Sequence, residues 1–238
     1  MIVLVTGSSK GIGKAIATKF AKNSYDVIIN YNNDSKSANE LAASLKEEYG
    51  VNTYVIKCDV SNEEEVMNMK NYIQSNIGNI DCLVNNAGIA IDEPIEVKNS
   101  DSFMKTISVN LLGPFLVTKY IGEIISDGGN IINISSTNGI DTLYPESIDY
   151  DASKSGVISL THNFANYYDG RIRVNSVAPG WVNTDMNKEL DDDFIKEEVS
   201  KIILHRFCEP DEIADVVYAI TTLGYINDTV IRVDGGTK

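Results

Sequence analysis

The sequence is poor in the residue types that bind zinc. Its 238 residues include three cysteines, Cys58, Cys82 and Cys208, and two histidines, His162 and His205. The cysteines are widely spaced and form no C-x-x-C pair, and neither histidine has a partner at catalytic spacing. We therefore expect no metal site, three thiols that stay reduced, and two structural histidines.

Long apolar runs and an excess of positive charge are also missing. No apolar run approaches the ~18 residues of a membrane span, and the first residues form a strand pattern rather than a signal peptide. The 34 acidic residues outnumber the 20 basic ones, which gives a net charge of −14. This balance argues against nucleic acid or an anionic membrane as the main partner. We expect a soluble, cytoplasmic protein that binds neither.

Strand and helix patterns alternate along the whole chain, without a Pro/Gly-rich linker or an internal repeat. Strands are predicted at 2–5, 27–31, 53–56, 81–84, 131–134, 172–177 and 230–233, with helices between them that include a long one over 100–126 and short pieces over 187–203. This order predicts an α/β fold: a single-domain, Rossmann-type doubly wound parallel sheet of about seven strands, with helices on both faces, over residues 1–238.

A glycine-rich turn follows the first strand, with glycines at Gly7, Gly11 and Gly13. In such a turn the backbone N–H groups and the positive end of the next helix can bind a pyrophosphate. Gly7 would permit the tight turn, Gly11 the approach of phosphates, and Gly13 the close packing of helix on strand. Taken alone, the spacing also fits an ordinary strand–helix turn.

A second pattern indicates acid/base chemistry. The apolar run 131–134 ends in Ser135 and Ser136, and further on Tyr150 and Lys154 stand one helical turn apart. The ammonium should lower the pKa of the phenol from its usual ~10, and the Ser136 hydroxyl could hold a substrate oxygen. Alternatively, Tyr150 is a half-buried surface aromatic and Lys154 a solvated charge. Because ligands bind at the carboxyl ends of parallel strands, the glycine turn and Ser136 would share one site.

These residues together resemble the short-chain dehydrogenases/reductases, and most of all the 3-oxoacyl-acyl-carrier-protein reductases. The resemblance covers essentially the whole chain. Its motifs, in order, are Thr6-Gly7-x-x-x-Gly11-x-Gly13, Asp59, Asn85-Asn86-Ala87-Gly88, Asn110, Ser136, Tyr150-x-x-x-Lys154, Pro179-Gly180 and Thr184. The resemblance implies an enzyme that uses NAD(P)(H).

The resemblance also implies four catalytic residues. Tyr150 would donate a proton to the carbonyl oxygen, and Lys154 would lower the pKa of Tyr150 and hold the nicotinamide ribose. Ser136 would hydrogen-bond the carbonyl. For Ser135, the position near the strand end itself favours a hydrogen bond to its own backbone. Asn110 would hold a water that links Lys154 to solvent, although it could simply be a polar residue that bends its helix.

The cofactor contacts that the resemblance implies run along one edge of the predicted sheet. Asp59 and Val60 would meet the adenine, residues 86–88 would line the adenosine side, and residues 179–184 would pack on the nicotinamide. The full predicted set is Gly7, Ser9, Lys10, Gly11, Ile12, Gly13, Tyr31, Asn32, Asp59, Val60, Asn86, Ala87, Gly88, Tyr150, Lys154, Pro179, Gly180, Val182 and Thr184.

The sequence favours NADP(H) over NAD(H). The second strand ends at Tyr31 and Asn32, so it lacks the carboxylate that would pair with a ribose 2′-hydroxyl. Asp34 is better explained as a helix cap. Lys10 lies in the glycine turn, where NADP-preferring relatives often carry a basic residue.

Two carboxylates, Asp149 and Asp151, flank Tyr150 and should raise its pKa unless their side chains point to water. The substrate, a small-molecule or acyl-thioester carbonyl, would be shaped by residues 89–98, 140–149 and 181–205, the last forming a lid. An acidic acyl-carrier protein would need basic residues beside the cleft, for which the candidates are Arg171, Arg173 and Lys119.

Relatives are usually tetramers joined through the helices over 100–126 and 150–168 and the last strand, so we expect a homotetramer or homodimer. Four apolar residues could serve that interface or the core: Leu116, Tyr120, Phe164 and Tyr168. The function predicted first is an NADPH-dependent carbonyl reductase. An NAD(P)-dependent alcohol or sugar dehydrogenase is the alternative, and a non-catalytic NADP-binding protein is a third reading that the intact catalytic set disfavours.

Overall fold

The computed structural model describes residues 1–184 and 190–237, and contains one parallel sheet of seven strands in the order β3-β2-β1-β4-β5-β6-β7. The strands are β1 (Ile2–Val5), β2 (Asp26–Tyr31), β3 (Thr53–Lys57), β4 (Ile80–Asn85), β5 (Ile125–Ile134), β6 (Arg173–Pro179) and β7 (Val230–Val233). The order reverses between β1 and β4, which leaves a crevice at their carboxyl ends. The predicted fold class is confirmed.

Helices cover both faces of this sheet. They are α1 (Gly11–Lys22), α2 (Ser35–Tyr49), α3 (Glu63–Asn76), α4 (Ser100–Ile107), α5 (Gly113–Ile121), α6 (Ile148–Tyr168), α7 (Asp192–Lys201) and α8 (Pro210–Thr222). Helices α1, α2 and α8 bury apolar residues on one face, and α3, α5 and α6 do so on the other. The central strand β1 is buried from both sides, which explains why Val3, Leu4 and Val5 form an unbroken apolar run.

The single helix predicted over 100–126 is wrong. Helix α4 passes into a π-helical turn, Ser108–Leu112, and α5 ends at Ile121 before a short 3₁₀ turn and β5. Pro114 has no N–H to donate to the carbonyl four residues earlier, and the N–H of Gly113 instead bonds the carbonyl of Ser108, five residues back. The helix widens at this point.

Of the short helical pieces predicted over 187–203, α7 accounts for the part after Asp191. Residues 185–189 lie outside the described residues, and so does part of the predicted lid over 181–205. No helix in the described part of the chain is both long and apolar enough to cross a membrane.

Candidate active site

The glycine turn between β1 and α1 has the backbone geometry that glycine allows. Gly7 and Gly11 adopt φ values of 60° and 56°, in the left-handed region that side chains rarely occupy. A Cβ on Gly7 would lie 2.8 Å from the Cα of Ala87. A Cβ on Gly13 would lie 2.5 Å from both the carbonyl oxygen of Gly7 and Nδ2 of Asn86. Gly13 thus permits close packing on the turn itself and on Asn86, rather than on the strand as predicted.

Two side chains hold this turn in place. The Thr6 hydroxyl accepts hydrogen bonds from the backbone N–H groups of Asn86 (2.9 Å) and Ala87 (3.0 Å). The Asn86 amide in turn donates to the carbonyls of Thr6 (2.9 Å) and Gly7 (3.1 Å). These bonds fasten the start of the glycine turn to the end of β4.

Asn30 is a third support, which the sequence reasoning missed. It is fully buried in β2, accepts the N–H of Gly7 at 3.1 Å and donates to the carbonyl of Cys58 at 3.0 Å. The sequence does contain a signal for this role, because Asn30 is a lone amide at the end of the apolar run of β2. A polar group buried in a strand needs hydrogen-bond partners.

At the far end of the crevice, β2 and β3 present Tyr31, Asn32 and Asp59. The Asn32 amide donates to Oδ2 of Asp59 at 3.1 Å, which ties the two predicted adenosine contacts together. Val60 is different, because its side chain is buried beneath α5, where a Cβ on Gly113 would lie 2.8 Å from it. Only the backbone of Val60 could face an adenine.

The predicted acid/base group lies at the carboxyl end of β5. Tyr150 is partly buried in the first turn of α6, and the Lys154 ammonium lies 5.4 Å from the centre of its ring. The ammonium is buried and donates to the carbonyl of Ile134 at 2.9 Å. The Ser136 hydroxyl donates to Oδ1 of Asn138 at 3.0 Å and accepts the Asn138 N–H at 3.2 Å, and it lies close enough to the phenol to lower the pKa of Tyr150. The phenol, the ammonium and a hydroxyl therefore converge.

The pKa of the Tyr150 phenol is raised, not lowered as predicted, because burial disfavours its charged form. Burial raises this pKa to about 12, the Ser136 hydroxyl lowers it, and the charges of Asp151 and Asp92 raise it further. Burial likewise lowers the pKa of Lys154 to about 8. Both groups are thus held nearer to their neutral forms than in water.

The two carboxylates beside Tyr150 behave differently. The Asp149 side chain does not reach water, but is buried in an ion pair with Lys98 at 2.7 Å. Asp151 accepts hydrogen bonds from the Asn138 amide at 2.7 Å and the N–H of Tyr144 at 3.0 Å. Of the two, only Asp151 contributes to raising the pKa of the Tyr150 phenol.

Asn110 is buried in the π-helical turn and binds the chain that leaves β4. Its Oδ1 accepts the N–H of Ile89 and its Nδ2 donates to the carbonyl of Ile89, both at 2.8 Å. A Cβ on Gly88 would lie 3.4 Å from Oδ1 of Asn110 and 3.6 Å from Nζ of Lys154, so the two predicted catalytic residues flank Gly88. The bridging water predicted between them stays a prediction.

Ser135 does not bond its own backbone as predicted. Its hydroxyl donates to the carbonyl of Lys154 at 2.9 Å and so fastens α6 to the end of β5. The next residue, Ser136, is left facing Tyr150.

The segment after β6 crosses the crevice toward the glycine turn. Pro179 ends the strand, and the N–H of Gly180 bonds the carbonyl of Val233 at 2.9 Å. Val182 is buried, and Thr184 lies 3.7 Å from where a Cβ on Gly11 would stand. The two ends of the predicted cofactor site therefore meet across the crevice.

The basic residues predicted to meet an acyl-carrier protein are engaged in structural contacts. Arg173 donates to backbone carbonyls around the end of α8, including that of Ile226 at 2.8 Å. Arg171 donates to the carbonyls of Gly122 and Ile125, and Lys119 pairs with Glu63 at 3.0 Å. These contacts weaken the argument for carrier docking at these positions.

Among residues 1–184 and 190–237, no group of three or more His, Cys, Asp or Glu side chains is placed to hold a metal ion. His162 does have a partner, since its Nδ1 lies 2.6 Å from Oδ1 of Asp228 on the surface. That contact joins α6 to the loop before β7 and is not part of the candidate active site.

A turn that can bind a pyrophosphate, together with a partly buried tyrosine beside a buried lysine, defines an oxidoreductase that uses a nicotinamide dinucleotide. The profile of a family described as "Enoyl-(Acyl carrier protein) reductase" matches residues 7–238. The chain belongs to the short-chain dehydrogenases/reductases.

Three relatives show the range of activities in this family. The chain is 38% identical to carbonyl reductase family member 4 of Xenopus laevis, over 100% of this chain and 98% of the relative. It is 35% identical to the 3-oxoacyl-acyl-carrier-protein reductase FabG of Staphylococcus aureus, over 98% of this chain and 96% of the relative. It is 33% identical to glucose 1-dehydrogenase 2 of Bacillus subtilis, over 98% of this chain and 93% of the relative. A short-chain dehydrogenase of Burkholderia cenocepacia, solved in complex with NADP, has a TM-score of 0.92 at 29% identity, with 98% of this chain and 96% of that chain covered.

Proposed function

We propose that this protein is an NADPH-dependent reductase that converts a carbonyl, most simply a ketone, to an alcohol. The observation that carries the proposal is the Tyr150 phenol, set beside the Lys154 ammonium (5.4 Å from the ring centre) and the Ser136 hydroxyl at the carboxyl end of β5. When bound, the nicotinamide supplies the hydride to the carbonyl carbon. Tyr150 gives its proton to the carbonyl oxygen, Ser136 orients that oxygen, and Lys154 stabilises the phenolate left behind.

The high pKa of Tyr150 fits the reductive direction. A phenol whose pKa is about 12 is protonated at neutral pH and is ready to donate. Lys154, with a pKa near 8, keeps enough positive charge at neutral pH to offset the phenolate as it forms. The opposite reaction, alcohol oxidation, needs the phenolate and would gain from alkaline pH.

The alternative, an alcohol or sugar dehydrogenase, has one specific support: the similarity to a glucose dehydrogenase. A substrate screen in both directions separates the two. Ketones and 3-oxoacyl thioesters should oxidise NADPH at neutral pH if the proposal is right. Turnover confined to sugars or alcohols with an oxidised cofactor would replace the proposal by the alternative.

The preference for NADPH is supported by the adenosine end of the crevice. Asp34 caps α2, with its carboxylate accepting the N–H of Ser37 at 3.0 Å, so it is occupied as predicted. The hydrogen bonds from Ser37 lower the pKa of the Asp34 carboxyl, and the nearby charge of Lys10, which is exposed just before α1, lowers it further. A 2′-phosphate placed there would meet the Lys10 ammonium, whereas a 2′-hydroxyl would meet no free carboxylate at Tyr31 or Asn32.

Substituting Lys10 should therefore weaken NADPH and spare NADH. We expect Lys10→Ala to raise the Kd for NADPH about tenfold, because one charge-assisted contact is lost, and to change the Kd for NADH less than about twofold. Fluorescence titration of the reduced cofactors measures both. Lys14→Ala, which removes an exposed lysine one turn further along α1, is the control and should change neither Kd. Tighter NADH binding by the wild type would contradict the proposal.

A homotetramer or homodimer is supported by an apolar surface groove. The groove lies between the α4–α5 segment and α6 and is lined by Ile107, Leu111, Leu112, Phe115, Gly156, Ser159 and Leu160. The side chains of Leu112 and Phe115 are 40% and 37% exposed. Exposed apolar grooves of this kind mark association surfaces. Of the residues predicted for interface or core, Leu116 and Tyr168 are buried in the core.

A charge placed in this groove should break the assembly. We expect Phe115→Glu to convert the oligomer to a smaller species, because a carboxylate at the centre of an apolar contact is left unpaired. Light scattering after gel filtration measures the mass. Met67→Glu, at an exposed apolar residue of α3, is the control and should leave the mass unchanged. A monomeric wild type would contradict the proposal.

The single domain over residues 1–238, the lid over 181–205 and the cytoplasmic location stay predictions. The lid has some support from aromatic packing around α7. Trp181 packs on Phe194 and Phe207, with ring centres 5.7 and 5.5 Å apart, and Phe194 also lies 6.4 Å from Tyr144 of the opposite wall.

A further inference from the structure

An ion pair with no assigned role lies directly beside the acid/base group. The Lys98 ammonium and the Asp149 carboxylate are 2.7 Å apart, and their side chains are only 3% and 0% exposed. Lys98 also donates to the carbonyl of Ile91 at 2.7 Å. Burying two charges costs several kcal/mol of desolvation, so such a pair is weak evidence for added stability and calls for another explanation.

The pair is one of several contacts that bind the cleft-lining segment 89–98 to the start of α6. At the other end of that segment, Asn110 bonds Ile89 and donates to the Ser153 hydroxyl at 3.2 Å. The Ser153 hydroxyl in turn donates to the carbonyl of Tyr150 at 2.7 Å. Between the two ends, Glu93 N–H donates to the carbonyl of Glu146 at 3.0 Å. The segment is therefore bonded on both sides of Tyr150.

Helix geometry gives these contacts a directional effect. Asp149 and Ser153 are four residues apart and share one face of α6, and Tyr150 and Lys154 share the adjacent face, turned by about 100°. A helix whose 149/153 face is fixed by hydrogen bonds cannot rotate without breaking them. The hydrogen bonds on the 149/153 face therefore also set the direction in which the Tyr150 phenol and the Lys154 ammonium point.

We propose that Lys98 is a positioning residue for the reaction: its buried ion pair with Asp149 fixes the first turn of α6, and with it Tyr150, against the segment that lines the substrate cleft. Lys98 also balances the charge of Asp149, leaving Lys154, Asp151 and Asp92 as the charged groups that face the phenol. The inference rests on the proposed function, since it assumes that Tyr150 transfers the proton.

Lys98→Met tests this by breaking the pair while keeping the length of the side chain. We expect kcat to fall about 10- to 100-fold, because a small displacement of a reacting group costs this much, with the Kd for the cofactor changed less than about twofold. In alcohol oxidation, activity rises as the phenol loses its proton. The unpaired Asp149 carboxylate should move that rise upward by about one pH unit.

Three further variants separate positioning from general destabilisation. Lys98→Arg keeps the charge and should retain the wild-type pH profile. Lys98→Met/Asp149→Asn removes both charges and should return the pH profile to its wild-type position while kcat stays low. Lys70→Met breaks a distant ion pair with Glu123 (3.2 Å) and should change neither quantity.

If Lys98→Met does not fold, Lys98→Met/Asp149→Leu replaces the buried pair by apolar side chains of similar size, which proteins often accept. A folded variant of either kind with wild-type kcat and pH profile overturns the proposal. Hydrogen exchange provides a readout that needs no turnover: exchange should increase in residues 89–98 and in the first turn of α6, and nowhere else. Unchanged exchange in these residues overturns the proposal that the ion pair fixes the first turn of α6. A wild type that turns over no substrate overturns the proposed function instead.

Discussion

Tyr150→Phe is expected to lower kcat by about 10³- to 10⁴-fold, the upper part of the range that general acid catalysis supplies. The substitution removes one hydroxyl from a ring that is otherwise held by the surrounding side chains. The phenol is the group on which Ser136 and Lys154 converge. The reduced cofactor should still bind, because the substitution leaves the glycine turn, the predicted phosphate site, unchanged.

The measurement is the oxidation of NADPH by a ketone that the wild type reduces, with cofactor binding followed separately by fluorescence. Tyr167→Phe is the matched control, since it removes an exposed phenol from the same helix. The control should retain wild-type activity. A Tyr150→Phe enzyme within tenfold of the wild type would show that another group donates the proton.

Lys154→Met is expected to abolish most activity and to make the protein more stable at neutral pH. Burial lowers the pKa of Lys154 from 10.5 to about 8, which corresponds to about 3 kcal/mol of unfavourable free energy while the ammonium is charged. Methionine removes that cost but also the hydrogen bond to Ile134, worth about 1 kcal/mol. The net gain of about 2 kcal/mol should raise Tm by about 4–8 °C in a chain of this size.

The pH dependence of this gain follows from the sign of the pKa shift. Below about pH 8 the folded and unfolded states both carry the charged lysine, and the full burial cost opposes folding. Between about pH 8 and 10.5 the folded state releases its proton first, so the wild type regains stability as pH rises. The advantage of Lys154→Met should therefore be present at pH 7 and shrink above pH 8.

Thermal unfolding across this pH range, followed by circular dichroism, tests the prediction. Lys14→Met, at an exposed lysine of α1, should change Tm little at any pH. A Lys154→Met protein that is less stable than the wild type at pH 7 would mean that the ammonium stabilises the fold. Such a result would contradict the view that Lys154 is kept for chemistry at the expense of stability.

The fold could be predicted from the sequence because its signals are local and repeated. Buried parallel strands produce unbroken apolar runs such as Val27–Ile29, and each is followed by a helical pattern. The helix break near Asn110 was missed although Gly113-Pro114 lies within the helical pattern. Pro114 lacks an N–H, but the effect of that loss depends on which hydrogen bonds the neighbouring residues form instead. Here the result is a π-helical turn.

The candidate site was predictable only in part. Gly7, Tyr150 and Lys154 could be identified because their spacing along the chain itself predicts a tight turn or a shared helix face. The partners of Asn30 and Lys98 lie 28 and 51 residues away, and no spacing reveals such pairs. The pKa of Tyr150 was misjudged for a related reason. The charge of Asp151 can be read from the position next to Tyr150, but the burial of the phenol and its proximity to Asp92 depend on the packing of several elements.

The most direct test of the account is the oxidation of NADPH by wild type and Tyr150→Phe, with a panel of ketones and 3-oxoacyl thioesters at neutral pH. We expect the wild type to reduce at least one carbonyl and to use NADPH better than NADH, and we expect Tyr150→Phe to bind NADPH but to turn over about 10³-fold more slowly. A wild type that binds NADPH and reduces none of the panel, or a Tyr150→Phe enzyme as active as the wild type, would contradict it.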